Sequence, residues 1–179
     1  DRDTLEPRIR VVGGDSWSDE EGFEAHLPPA GITGVCGSGI IEVVAELFLA
    51  GVLDADGTID GALAARTARV VEDGRVFAYV LHEPGDGRPA LRITQNDVRA
   101  IQLAKAALQA GVRLLMDHAG LASLDDVGSV RLAGAFGSHI DPLYALVLGL
   151  LPDCPPDRVR SAGNAAGSGA VRALLSAAA

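Results

Sequence analysis

Two stretches of the chain end in backbone that could bind a ligand. Residues 130–138 read VRLAGAFGS and residues 159–168 read VRSAGNAAGS. Each is a short β-type run that stops at Ala-Gly and gives way to a turn of small residues, Gly134 to Gly137 in one and Gly163 to Gly169 in the other. Without a Cβ, such a turn lets backbone approach a ligand closely, and the N–H groups at a following helix start favour phosphate. Ligands of open α/β sheets bind beyond the carboxyl ends of the strands, so two such turns could bracket one nucleotide. The same glycines could equally serve only tight turns and close helix–sheet packing.

Other chemistries fail on spacing. There is no G-x-x-x-x-G-K-[ST], and Gly34, Gly37 and Gly39 do not have G-x-G-x-x-G spacing. Ser38, Ser138 and Ser168 each lack the two glycines of G-x-S-x-G, which removes a serine hydrolase. Asp54, Asp56 and Asp60 lack the remaining ligands of a calcium loop and read as a surface turn. His26, His82, His118 and His139 show no ligand spacing, and Asp141, before Pro142, reads as a helix cap. Cys36 and Cys154 form no C-x-x-C, which excludes an iron–sulfur or structural zinc framework within this chain. Cys36 is expected to be a buried small residue. Lys105 could reach a phosphate or ribose, or simply lie along the surface with its ammonium in water.

The elements that must position these turns follow from periodicity. A chain of 179 residues with 48% hydrophobic content supports a real core, an aliphatic one because aromatics are only 4%. Its net charge of −9 argues against a nucleic-acid groove or an anionic membrane surface. Apolar runs of about ten residues are too short to span a bilayer, and two lone cysteines with no secretory signal favour the cytoplasm. The chain starts at Asp1 and reads as part of something longer.

RIRVV (8–12) is expected as a strand, the acidic stretch 15–24 as a solvated loop, and 38–50 as a helix capped by Ser38. Strands at 68–72 and 75–81 flank a turn at Asp73-Gly74, and 90–93 is a third strand. A long helix follows, capped by Thr94 with Asp97, stopped by Gly120 and carrying an apolar stripe of Val98, Ile101, Leu108, Val112 and Leu115. Strands and helices then alternate, which means parallel strands with crossover helices. The fold class is α/β, a mixed β-sheet flanked by helices. Residues 1–179 form one domain, with 1–30 as a strand-and-loop lead-in.

Four blocks, GVCGSGIIEVVAELFLAGVLD, ITQNDVRAIQLAKAALQAGVRLLM, VRLAGAFGSHIDP and LGLLPDCPPDRVRSAGNAAGSGA, resemble in order the carboxy-terminal domain of the reductive activators of corrinoid proteins. These belong to the acetate-and-sugar-kinase, heat-shock-chaperone and actin (ASKHA) superfamily, so the resemblance implies an actin-like ATPase half-domain. It implies ATP with Mg²⁺ and a [2Fe–2S] cluster in a separate amino-terminal ferredoxin domain. The activity implied is ATP-driven return of an inactive Co(II) corrinoid protein to Co(I) for methyl transfer. Gly134, Ala135, Phe136 and Gly137 would then pack on adenosine, with Gln102 and Lys105 as ribose or adenine contacts. Gly163, Asn164, Gly167 and Gly169 would form the connecting hinge. The superfamily's D-x-G-T-like phosphate turns are missing from this chain, as are the cluster cysteines. The chain alone is therefore expected to be inactive, with no catalytic or metal residue of its own. The partner implied is a corrinoid protein, with no nucleic acid or membrane, and a homodimer is allowed. Two rival readings are a non-catalytic protein-interaction module and part of a small-molecule kinase of the same superfamily.

Overall fold

The structure is a computed structural model and describes residues 1–85, 87–134 and 137–176. The chain divides into two compact units, Asp1–Val35 with Glu46–Ala100, and Cys36–Ala45 with Ile101–Ala179.

The first unit holds an antiparallel sheet of β1 (Val70–Asp73), β2 (Val76–His82) and β3 (Leu91–Ile93), in that spatial order. Asp73 pairs with Val76, so the two-residue loop is Gly74–Arg75, one residue beyond the expected Asp73-Gly74. Gly74 has φ +68°, the conformation that matches the turn to the strand twist. Val52, Leu53, Ile59, Val70, Ile93 and Val98 are buried and form this unit's aliphatic core with Ala78–Leu81 of β2.

The 54–61 turn is organised by its own carboxylates and by one buried amide. Asp54 Oδ1 accepts the N–H groups of Asp56 and Thr58 at 2.9 and 2.7 Å, and Asp60 accepts that of Ala62. Buried Gln95 donates through Nε2 to the Gly57 carbonyl at 2.6 Å and accepts the Ile59 N–H at 3.1 Å.

No strand forms at 8–12. Only a single bridge joins Arg10 to Trp17. The Arg8 and Arg10 guanidiniums stand 5.0 and 5.1 Å from the Trp17 ring centroid, and Arg8 also pairs with Asp19 and Glu20. Stacking and ion pairing thus fix this segment against the acidic loop and take the place of a strand ladder. At the amino terminus the Asp1 carboxylate gathers the Asp3 and Thr4 amides and the Thr4 hydroxyl. Leu5 is buried beyond that turn, and its carbonyl accepts the Tyr79 hydroxyl at 2.8 Å.

The second unit is built on a parallel pair. Its elements are β4 (Val130–Ala133), α3 (Pro142–Val147), β5 (Val159–Gly163) and α4 (Ala165–Leu175), together with parts of α1 (Gly37–Leu49) and α2 (Gln95–Ala119). Ile41, Ala145 and Leu150 are its buried centre, with Ile40, Ile101, Ile140, Tyr144, Leu148 and Leu151 packed around them. The α/β class holds, with antiparallel and parallel pairing divided between two sheets.

Helix α2 starts as its sequence dictates. The Asp97 carboxylate accepts the N–H and hydroxyl of Thr94 at 2.8 and 2.7 Å, while the Thr94 hydroxyl accepts the Asp97 N–H, a reciprocal cap. Gly120, at φ +68°, ends it. The expected apolar stripe is only partly inside. Val98 is buried and Ile101 and Val112 are half-buried, but Leu108 and Leu115 are 50% and 71% exposed. At ~100° per residue these two leucines lie about 80–100° around the helix from Val98, toward a different face.

Two outcomes follow from the first unit. Replacing Gln95 with Ala strands a buried N–H and a buried carbonyl, which costs about 1–3 kcal/mol; urea unfolding of the variant is expected to show that loss with an unchanged denaturant slope. Burial pushes the Tyr79 phenol up from 10 to about 12. The folded state then keeps a proton that the unfolded state releases. This stabilisation is complete below pH 10 and is lost as pH climbs toward 12. Tyr79→Phe is expected to flatten the alkaline fall in stability and to remove the latest phenolate step from a near-ultraviolet titration.

Candidate functional site

Parallel pairing brings the two glycine turns to one edge. Strand β4 runs beside β5 with Val130 opposite Val159 and Leu132 opposite Ser161, and a register shift after Leu132 sets Ala133 opposite Gly163. In a parallel pair both carboxyl ends face the same way, and here they are tied together. The Gly134 N–H donates to the Gly163 carbonyl at 2.8 Å. Gly134 and Gly163 have φ +99° and +60°, conformations that a side chain would strain.

The first turn is closed by Ser138, whose N–H and hydroxyl donate to the Gly134 carbonyl at 3.1 and 3.0 Å. Gly137 answers a different need. A Cβ there would stand 3.1 Å from the Ala133 carbonyl oxygen and 3.2 Å from Leu132. Beside Gly134, in contrast, no described atom lies within 4 Å of where a Cβ would be. Among the described residues the turn is thus packed at Gly137 and uncontacted at Gly134. Ala135 and Phe136 lie outside the described residues.

At the second turn Asn164 caps α4, its Oδ1 accepting the Gly167 N–H at 2.9 Å. A Cβ on Gly167 would meet the Asn164 amide, whereas beside Gly169 the described structure is open to 4 Å. Asn164, Gly167, Ser168, Val171 and Arg172 line a wide-open concavity of ≈ 570 Å³ along this helix. Arg172 places one cation there. The groups gathered at this end are backbone, a hydroxyl, an amide and a guanidinium. They suit binding and orientation; among the described residues of the two turns none is a nucleophile paired with a base.

Gln102 and Lys105 sit on the side of α2 that turns toward its own unit. Gln102 is half-buried, while Lys105 is exposed and lays its ammonium against Gly149, where a Cβ would be only 3.0 Å from Nζ. Gln109, one turn beyond Lys105, donates through Nε2 to the carbonyls of Gly149 and Leu151 at 2.8 and 3.1 Å. Gln109 thus holds the 149–151 turn that follows α3, with the Lys105 ammonium beside it. Sequence reading missed Gln109, although its spacing of seven from Gln102 and four from Lys105 puts all three on one face.

Asp141 caps α3 through the Leu143 N–H at 2.8 Å, and His139 is exposed. The expectation for Cys36 is corrected: it is exposed, directly before α1. Its Sγ accepts the Gly39 N–H at 3.4 Å and lies 3.5 Å from the Ser38 hydroxyl, so the thiol and not Ser38 occupies the cap position. Hydrogen bonding to Ser38, then to Gly39, holds this thiol below its ordinary pKa.

Comparison with known proteins places this geometry in a family. The family model described as the C-terminal domain of RACo, the ASKHA domain, matches residues 1–179. The corrinoid activation enzyme RamQ of Eubacterium limosum is 41% identical over 151 residues, which covers 80% of this chain and 25% of that protein. A solved structure of a reductive activator for a corrinoid, iron-sulfur protein superposes with a TM-score of 0.71 at 32% identity. That match covers 95% of this chain and 26% of the other. The chain therefore spans about a quarter of the length of each. With the whole sequence inside the family match and the fold shared at this identity, the chain belongs to the carboxy-terminal ASKHA domains of the reductive activators of corrinoid proteins.

Proposed function

We propose that this chain forms the nucleoside side of an ATP cleft in a protein that couples ATP to the reduction of a Co(II) corrinoid to Co(I). The observation that carries the reading is the Gly134–Gly163 hydrogen bond, which holds two glycine turns at one sheet edge. Family membership supports ATP as the ligand, and the names of the two relatives support a corrinoid protein as the partner.

The roles follow from what each group can reach. The open flank of Gly134 accepts the flat face of adenine or ribose against backbone, while Gly137 keeps the turn tight enough to stay in place. The family resemblance gives Ala135 and Phe136 the same nucleoside role. Gln102 supplies an amide to the ribose or base, and Lys105 does so only by leaving Gly149. Gly163, Asn164, Gly167 and Gly169 form the hinge side, where small residues let neighbouring backbone approach. Binding energy gained at the nucleoside can then bias domain opening, since a ligand shifts an equilibrium by its differential affinity for the two states.

Two cofactor requirements fall outside this chain's residues. Mg²⁺ would travel with the triphosphate and be held where acidic turns meet the phosphates. A [2Fe–2S] cluster takes four thiolates, and this chain has two cysteines. The residues therefore do not fit a cluster, and no electron-transfer step is assigned to them. No helix among the described residues is long and apolar enough to cross a membrane; a cytoplasmic protein, free or as a homodimer, fits this reading.

Calorimetric titration of the intact protein with ATP and Mg²⁺ tests it. Gly134→Val is expected to weaken binding by tenfold or more, about 1.4 kcal/mol, with the circular dichroism spectrum retained. Asn164→Ala is expected to leave affinity within twofold while lowering stability by about 1 kcal/mol, the usual cost of a lost cap. Equal ATP affinity in the wild type and Gly134→Val contradicts the assignment.

A further inference from the structure

One bulky residue of the first unit sits in backbone that glycine adopts far more readily. Leu5 has φ +61°, in the left-handed region, and every other positive φ among the described residues belongs to a glycine. A large side chain is an outlier there, because its Cβ crowds the following carbonyl. Strain of this kind persists only where the surroundings over-determine it. Here the surroundings do so from inside: Leu5 is 2% exposed, and its carbonyl accepts the hydroxyl of buried Tyr79 at 2.8 Å.

The residues around Leu5 are tied down by charge. Arg2 meets both carboxylate oxygens of Glu46 at 2.9 Å. Arg66 donates to the Asp3 carbonyl, and Arg69 pairs with Glu6 at 2.7 Å. Glu46, Arg66 and Arg69 all belong to the first unit. These pairs are solvated, with the side chains of Arg2, Glu46 and Glu6 54%, 38% and 53% exposed, and solvated pairs hold weakly. The firm hold is therefore the buried Leu5 with its carbonyl, and the same residue supplies the strain that opposes it. Closing the segment also fixes the backbone of residues 2–6, at an entropic cost for each. The extended strands β1 and β2 beneath carry no such opposing strain.

We propose that residues 2–6 are a strained strap, which leaves the first unit as one piece ahead of the sheet's unfolding, with Leu5 setting the threshold. Release takes the Leu5 carbonyl from the Tyr79 hydroxyl and empties the place of the Leu5 side chain, while the β1–β2–β3 ladder stays paired. Movable parts of a protein are drawn from such weakly held segments on a stable frame. The device uses residues of the first unit alone and does not rest on the nucleotide reading.

Hydrogen–deuterium exchange of the intact protein in low urea tests it. The Thr4 and Leu5 amides are bonded to Asp1 at 2.7 and 3.0 Å, and the Val80 amide to the Arg69 carbonyl at 2.7 Å. Hydrogen bonding alone therefore does not separate them. The strap amides are expected to be protected at least a hundredfold less than Val80, with a rate that urea hardly changes. Two substitutions isolate the strain. Leu5→Ala removes the buried side chain but keeps a Cβ, and Leu5→Gly removes both. Glycine is the freer residue in the open state, so at an unstrained site the alanine variant is the better protected of the two. Here the order is expected to reverse, with the strap exchanging about threefold or more slowly in Leu5→Gly than in Leu5→Ala. Equal protection of strap and sheet in the wild type overturns the proposal, whatever the variants do. A strap better protected in Leu5→Ala than in Leu5→Gly overturns it too, since Leu5 then stores no strain.

Discussion

The candidate site of this domain depends on the parallel pairing of β4 with β5. Parallel strands deliver their carboxyl ends to one edge, and the Gly134 N–H bonded to the Gly163 carbonyl ties those ends together at the point where both strands stop. The two glycines are needed there because each takes a positive φ, +99° and +60°. A side chain at either would work against the conformation that turns the chain off the sheet. Gly137 is needed for a separate reason, the 3.1 Å approach that a Cβ would make to the Ala133 carbonyl. Among the described residues one edge thus combines a packed glycine with an uncontacted one, an arrangement that suits backbone recognition of a flat ligand.

Helix α2 begins in the first unit and continues into the second. Its start is fixed in the first unit by the Thr94–Asp97 cap and by Gln95, which pins the 54–61 turn. Further along, Gln109 holds the turn after α3 in the second unit, with the Lys105 ammonium beside Gly149.

Much of this was legible in the residues. Capping patterns carry local information, so Thr94-x-x-Asp97, Asp141-Pro142 and the glycine stop at 120 all read correctly. The paired Val-Arg…Ala-Gly runs also read as parallel strand ends. What failed required knowing the neighbours. Residues 8–12 alternate like a strand, but Trp17 captures both arginines and no ladder forms. The 73–76 turn slipped by one because Gly74 fits the first loop position as well as the second. Cys36 reads as a small buried residue, yet it caps α1 in the open. Leu108 and Leu115 fit a helical stripe, and periodicity cannot say whether a covering layer lies within the same 179 residues. The resemblance to corrinoid-protein activators rested on four blocks across most of the chain, and the family match extends over all of it.

The central claim is that adenosine lies against the edge where β4 and β5 end. The most direct measurement is a titration of the intact protein, selectively labelled with ¹⁵N-glycine, with ADP and Mg²⁺, following the amide resonances. The account predicts that Gly134 and Gly137 shift most, with Gly163 following through its hydrogen bond, while Gly13, Gly57 and Gly74 of the first unit stay in place. Saturating ADP that leaves Gly134 and Gly137 unmoved, or that shifts only glycines of the first unit, would contradict it.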